Sequence, residues 1–273
     1  MSDNKNMRLD VWVAKHHDIS RSLANRLTTD GNVLVNKERK TPSYRIQSTD
    51  TVTVTLPTKI QSEYDLAIIE ENDYFIAISK PQGLLVHAKD NQDAEQTVQS
   101  LLASKVDPTT PRGGIVHRLD RDTSGVMVVA RTLESYEELK SLFKQRHISK
   151  TYIAIVDGSV KDDEAIIKWP IARWPKKPAL FRVDANGKST ETKFKVTQRL
   201  EGTTVVELYP KTGRTHQLRV HMAHLGNPIA GDHFYNKAYK EGQKLMLHAQ
   251  KLDFKLQGKQ YSLESPTPKR FSI

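Results

Sequence analysis

Residues 117–125 read HRLDRDTSG. They set one carboxylate, Asp120, among a histidine and two arginines, with a second, Asp122, just before Thr-Ser-Gly. A carboxylate kept ionised by neighbouring cations can attack as a nucleophile or take up a proton. The same residue types also build ordinary turns, so the rest of the chain has to decide. Cysteine is absent from all 273 residues, which removes thiolate nucleophiles, disulfides and Cys-ligated zinc.

Other reactive groups point elsewhere only weakly. His216, His221 and His224 fall on one expected helix, but paired zinc ligands on a helix sit at i and i+4. His216 and His221 are five apart, and no Glu stands beside His221 and His224 to complete the HExxH pattern. Polar histidines satisfied by hydrogen bonds are the better reading. KTGRTHQ has one glycine and no Gly-Lys-Ser/Thr, so it is not a phosphate-cradling loop. Ser124 lacks the GxSxG elbow of a hydrolase, and Asp122 gives no spacing from which to read a glycosidase pair.

The chain carries 42 Lys and Arg against 32 Asp and Glu, a formal charge of +10, which favours a polyanionic partner. Hydrophobic residues make up 37% of the chain, enough for a globular core, and no apolar run approaches the ~20 residues of a bilayer span. The polar start MSDNKNMRLD lacks the apolar core of a signal peptide, so no membrane association is expected and the cytoplasm is the expected compartment.

Two groups of elements are expected to position these residues. Residues 1–57 look like a small module: a helix over RLDVWVAKH with Leu9, Trp12 and Val13 on one face, then a helix capped by Ser20, carrying Leu23 and Leu27 and stopping at Gly31. Strands follow at NVLVN and at DTVTVTLP, closed by Pro57. Through residue 59 there are ten basic residues against six acids. Residues 58–65 read as a polar linker, and 66–273 as a larger α+β domain.

In that larger domain LAIIEENDYFIAISKPQGLLVH gives two strands and two turns, and a helix is expected around residues 93–104. GIVHR and GVMVVAR follow as strands, and TLESYEELKSLFKQRH as an amphipathic helix with Leu139, Leu142 and Phe143 on one face. TYIAIVDG, AIIKW, ETKFKV, TTVVELYP, LMLHA and KLDFKL read as further strands. A helix ending at Gly226 spans RTHQLRVHMAHLG. Residues 168–199, rich in cations and proline, suit an exposed loop over a substrate.

KPQGLLVH, HRLDRDTSG, SKTYIAIVDG, YPKTGRTHQLRVHMAHLGNPIAGD and LMLHA occur in this order, and together they closely resemble the RluA-type pseudouridine synthases. The two short helices followed by GNVLVN resemble the αL RNA-binding fold, the type found in ribosomal protein S-four. The combined resemblance covers nearly the whole chain. It implies a pseudouridine synthase fold with a central mixed, largely antiparallel sheet, preceded by a small αL domain. The activity implied is cleavage of a uridine's glycosidic bond, rotation of the base and rejoining through carbon 5, with no cofactor or metal.

By position, the resemblance places the catalytic aspartate at Asp120. It also implies Tyr152 as the residue that stacks on the target base and helps remove the carbon-5 proton, and Arg219 as the partner that keeps Asp120 ionised. Arg118 matches the residue that displaces the nucleotide from its stack, and Leu247 a hydrophobic position beside the uracil. Lys80 and Pro81 are expected to shape the pocket wall. Arg21 and Arg26 on the second helix, with Lys37 beyond it, are the expected RNA contacts of the αL module. Attack on the sugar, attack on the base and removal of a sugar proton all need an ionised Asp120, and sequence does not choose among them. The expected partner is structured RNA, large-subunit ribosomal RNA first and transfer RNA second, with the protein a monomer. The alternative from another class is a non-catalytic RNA-binding assembly factor, which would not need Asp120, Tyr152 and Arg219 together.

Overall fold

Apolar residues three or four apart build the first helix pair. α1 (Leu9–His16) and α2 (Arg21–Thr29) bury Leu9, Val13, Ala24 and Leu27 in one small core with Val33, Val35 and Ile46. β1 (Val33–Val35) pairs with β2 (Glu38–Arg39) on one side and β3 (Val52–Val54) on the other. Asn36 and Lys37, both at positive φ, form the tight turn from β1 to β2. The buried Asp10 carboxylate accepts hydrogen bonds from Arg8 and Arg21, tying the start of α1 to the start of α2.

The computed structural model describes residues 6–17, 19, 21–55, 64, 66–87 and 96–271. The chain divides into two compact units, residues 1–63 with 87–97 and residues 64–86 with 98–273. Outside the described residues lie the expected cap at Ser20, Pro57, nearly all of the expected linker and the start of the helix expected at 93–104; the Leu23 side chain is also not described. The remainder of that last helix is one turn, α3 (Val98–Leu101), and a short 3-10 turn.

The second unit is built on a mixed, mostly antiparallel sheet. Along it run β4 (Ala67–Glu71), β5 (Phe75–Lys80), β6 (Ser124–Ala130), β13 (Leu247–Leu256), β7 (Ser149–Asp157), β12 (Thr203–Pro210), β11 (Thr192–Leu200) and β8 (Glu164–Ile167), with β14 (Lys259–Glu264) on the later half of β13. Among the described residues, β6 and β13 form its parallel pair, through Ser124 with His248 and Gly125 with Ala249. β5 and β6 are apolar at nearly every position because both their faces are covered. Phe75, Ala77, Val126 and Val128 pack with Tyr136 and Leu139 of α4 (Leu133–Gln145), whereas Ile76, Ile78, Met127 and Val129 pack with Leu84, Val98 and Leu102. α4 starts at a capping box in which Thr132 and Ser135 bond each other reciprocally. α5 (Gln217–Leu225) buries Leu218 and Met222 against Ala154, Val206 and Leu208.

Three expectations need correction, and one strand was missed. GIVHR is not a strand: Ile115 makes a single bridge to Val129, and the His117 Nε2 accepts the Val128 N–H at 3.0 Å, standing in for a neighbouring backbone. LMLHA and KLDFKL are one strand, because the irregularity between Ala249 and Lys251 bends β13 without ending it. The strand KQYSLE was not anticipated. Residues 168–199 are only partly loop, since β9 (Ile171–Arg173) and β10 (Phe181–Val183) form a small hairpin before β11 begins.

Candidate active site

Asp120 sits in the turn that leads into β6, and its neighbours divide the work of holding it. Leu119 is buried in the core, and the Asp120 carbonyl accepts the Thr123 N–H at 3.1 Å. The next carbonyl, that of Arg121, accepts the Gly83 N–H at 2.9 Å and the Lys80 ammonium at 3.0 Å. Lys80 is fully buried and also donates to the Pro81 and Leu84 carbonyls. Burial pushes that ammonium down to about 7, against the pull of Asp122 and Asp120. Lys80 therefore does not form the pocket wall expected of it. It ties the KPQG turn to the loop carrying Asp120.

Gly125 explains the end of the HRLDRDTSG stretch. Its φ of 126° is one that L side chains rarely adopt, and a Cβ there would run into the Ala249 carbonyl. The missing side chain lets β6 and β13 approach in parallel, which brings the Asp120 turn beside Leu247.

The segment from residue 212 to 216 closes the other side. The helix expected from residue 214 starts at Gln217, because His216 takes a left-handed φ of 57°. The Gln217 side chain holds the segment: its Oε1 accepts from the Thr212 hydroxyl and the Arg214 N–H, and its Nε2 donates to the Glu191 carbonyl and Thr192. Two residues further along α5, Arg219 is 2% exposed. It was expected to pair with Asp120, but its two short bonds go to Asp232, Nε to Oδ2 at 2.8 Å and Nη2 to Oδ1 at 2.6 Å. Its third nitrogen lies 3.7 Å from Asp120 Oδ2. Burial alone would lower the guanidinium pKa, but the Asp232 bonds hold it above its ordinary value. Phe234 and Tyr235 lie against the same guanidinium, at 5.2 and 5.3 Å.

His216 approaches Asp120 from this side, Nε2 to Oδ2 at 3.9 Å, while its Nδ1 bonds the Tyr235 hydroxyl at 2.7 Å. That hydroxyl also accepts the Phe181 N–H, so the β9–β10 hairpin is fastened to the ring next to Asp120. Burial lowers the His216 pKa, with Asp120 opposing.

These residues enclose a cavity of about 110 Å³ lined by Arg118, Asp120, Lys150, Tyr152, Arg219 and Leu247 among others. The five residues expected here from sequence, Asp120, Tyr152, Arg219, Arg118 and Leu247, thus meet in one place. Tyr152 lies on β7 with its phenol held well above its usual pKa by burial and by the nearby Asp120 charge. Arg118 is exposed at the rim, and Leu247 is 3% exposed at the start of β13. Asp232, His216, Tyr235 and Lys150 were not singled out as site residues. The one signal available for Asp232 was that a helical arginine facing the core needs a buried counter-charge.

The remaining three predicted residues lie in the first unit. Arg21 bonds Asp10 through Nε at 3.1 Å, Arg26 pairs with Asp30 at 3.5 Å, and Lys37 is exposed in the β1–β2 turn. Of the histidines weighed as metal ligands, His221 is buried between Thr192, Thr190 and the Trp169 carbonyl. No helix among the described residues is long and apolar enough to cross a membrane.

Residues 74–224 match the family model described as RNA pseudouridylate synthase, and residues 7–52 match that of the S4 domain. An uncharacterised RNA pseudouridine synthase of Bacillus subtilis, YlyB, is 33% identical over 97% of this chain and 92% of its own length. The ribosomal large subunit pseudouridine synthase D of Buchnera aphidicola is 36% identical over 84% of this chain and 75% of its own. The dual-specificity RNA pseudouridine synthase RluA of Yersinia pestis is 41% identical over 68% and 91%. The solved human RNA pseudouridylate synthase domain containing 1 shares the fold, with a TM-score of 0.65 at 24% identity over 78% of this chain and 87% of that one.

Proposed function

The chain belongs to the RNA pseudouridylate synthase family, and from that premise we propose that it isomerises specific uridines of large-subunit ribosomal RNA, with Asp120 as the catalytic carboxylate. The observation that carries the residue assignment is the meeting of Asp120 with the buried Arg219 and with Tyr152 in one cavity. Relatives named as ribosomal large subunit synthases support the choice of RNA.

A stacked uridine must first leave its helix or loop, at a cost of about a few kcal/mol, and Arg118 at the rim is placed to fill the gap. The base then lies between Tyr152 and Leu247, which present a ring and an apolar side chain to its faces. Asp120 acts at the sugar or the base while the bond from C1′ to N1 breaks. The base turns, C1′ bonds to C5, the C5 proton leaves and N1 gains one, so product and substrate have the same composition. Arg219 sets its positive charge 3.7 Å from the Asp120 carboxylate, beside the place where the reaction occurs. The buried phenol of Tyr152 stays protonated, which suits a stacking platform better than a ready-made base.

The experiment is chemical mapping of pseudouridines in a strain lacking this gene, compared with its parent. One or more sites should disappear from large-subunit ribosomal RNA. Loss confined to transfer RNA would move the substrate, and no loss from any RNA would overturn the reading.

A further inference from the structure

Arg219 meets two carboxylates, Asp120 in the cavity and Asp232 buried behind it, whereas Lys150 in the same cavity meets none among the described residues. Lys150 and Tyr152 are two residues apart on β7, so their side chains leave the same face of the strand, and both line the cavity. The Lys150 Nζ lies 4.0 Å from the point where a side chain on Gly213 would begin. Gly213 and Lys150 thus line the same part of the cavity.

Among the described residues, no carboxylate comes within ion-pair distance of Lys150. The basic groups within 4 Å of the Asp120 carboxylate are Arg219 and His216, at 3.7 and 3.9 Å. The charged group acting on Lys150 is another cation, Arg146, and the neighbouring His117 is kept neutral. Arg118 and Arg214 at the cavity rim add positive charge. Half-burial and the Arg146 charge push the amine down to about 8. An ammonium is strongly hydrated, and setting one in a partly dry site beside cations is unfavourable until an anion joins it.

We infer that Lys150 binds a phosphate group of the nucleotide whose base occupies the cavity. The inference rests on the proposed function, because it takes the occupant to be a uridine nucleotide. A base drawn into the cavity carries its own flanking phosphates with it, and a cationic seat beside Tyr152 would fix the sugar relative to Asp120. The lysine is then a positioning residue, acting through the placement of the nucleotide.

The test uses full-length protein and three small probes: uridine, uridine 5′-monophosphate and uridine 3′-monophosphate, titrated by NMR. For the wild type, one monophosphate should bind about tenfold more tightly than uridine, as expected for a hydrogen bond between charged groups. Which of the two does so identifies the phosphate. Lys150→Gln should lose that advantage while uridine affinity stays within about twofold, and Lys150→Arg should keep most of it. A wild type that does not prefer either monophosphate, or a preference that survives Lys150→Gln, overturns the inference. So does an equal weakening of uridine and monophosphate, which would place the lysine on the base or in the scaffold. Tritium release by the wild type from transcribed large-subunit ribosomal RNA reports on the proposed function separately, so the two ideas fail independently.

Discussion

Arg219 bonds Asp232 through two nitrogens, at 2.8 and 2.6 Å, and reaches Asp120 only at 3.7 Å. The shorter pair fixes the guanidinium plane, and the longer approach leaves Asp120 electrostatically supported without tying up its oxygens in tight bonds. A carboxylate so placed can still move onto a substrate.

Asp120→Asn keeps the shape of the side chain and removes its charge. RNA binding should persist while tritium release from the cognate RNA falls by at least about hundredfold. Turnover near the wild-type level would remove Asp120 from the chemistry.

Arg219→Met leaves Asp232 buried without its partner, and Asp232→Leu leaves the arginine in the same position. Each should destabilise by about 3–5 kcal/mol in denaturant unfolding. The double variant should be more stable than the sum of the two losses, because neither charge is then stranded. Simple additivity would mean the pair is not buried as described.

His117 accepts the Val128 N–H and must be neutral to do so, and burial pushes its pKa down to about 3 from 6.5. The unfolded chain therefore binds more protons than the folded one between about pH 6.5 and 3. The contribution is complete above about pH 6.5 and is lost on acidification at up to about 1.4 kcal/mol per pH unit. His117→Gln should flatten that part of the stability profile, and an unchanged slope would show that another group titrates there.

Gly125→Ala should cost at least about 2 kcal/mol, since strain at positive φ adds to a collision with the Ala249 backbone. Gly202→Ala, also at positive φ but with no atom within 4 Å of the new carbon, should cost only about 1 kcal/mol. Equal losses in thermal unfolding would mean that β6 and β13 can separate without penalty.

Removal of the N-terminal module, by starting the chain at Glu63, should weaken RNA binding and reduce its salt dependence. If Arg21, Arg26 and Lys37 each contact a phosphate, the slope of log affinity against log salt should drop by about two to three. Filter-binding titrations of both proteins on one RNA measure it. Identical slopes would mean that these cations serve their own unit, as the Arg21–Asp10 and Arg26–Asp30 pairs already do in part.

The order of the motifs, the strands from residue 67 to 80, the α4 face and the Leu218–Met222 stripe were all legible in the sequence. They depend on local periodicity and on side-chain types that one chemistry demands. GIVHR was misread because an apolar run looks like a strand even where a histidine ring, here His117, takes the neighbouring strand's N–H in place of a carbonyl. β13 was split because the irregularity between Ala249 and Lys251 interrupts the alternation without ending the strand. The meeting of Asp120 with Arg219 was implied by family resemblance; that the tight bonds of Arg219 go to Asp232 was not. Asp232 follows α5 by several residues and carries no local signature, and its partner is defined only once α5 packs on β7 and β12. The same holds for Lys80, whose three carbonyl acceptors belong to two loops joined by β5 and β6. Sequence by itself determined which groups could do the chemistry and the regular elements that carry most of them. Tertiary structure decided which charges are paired and which, like Lys150, are left facing the cavity, because pairing depends on burial and on distances that neither spacing nor composition encodes.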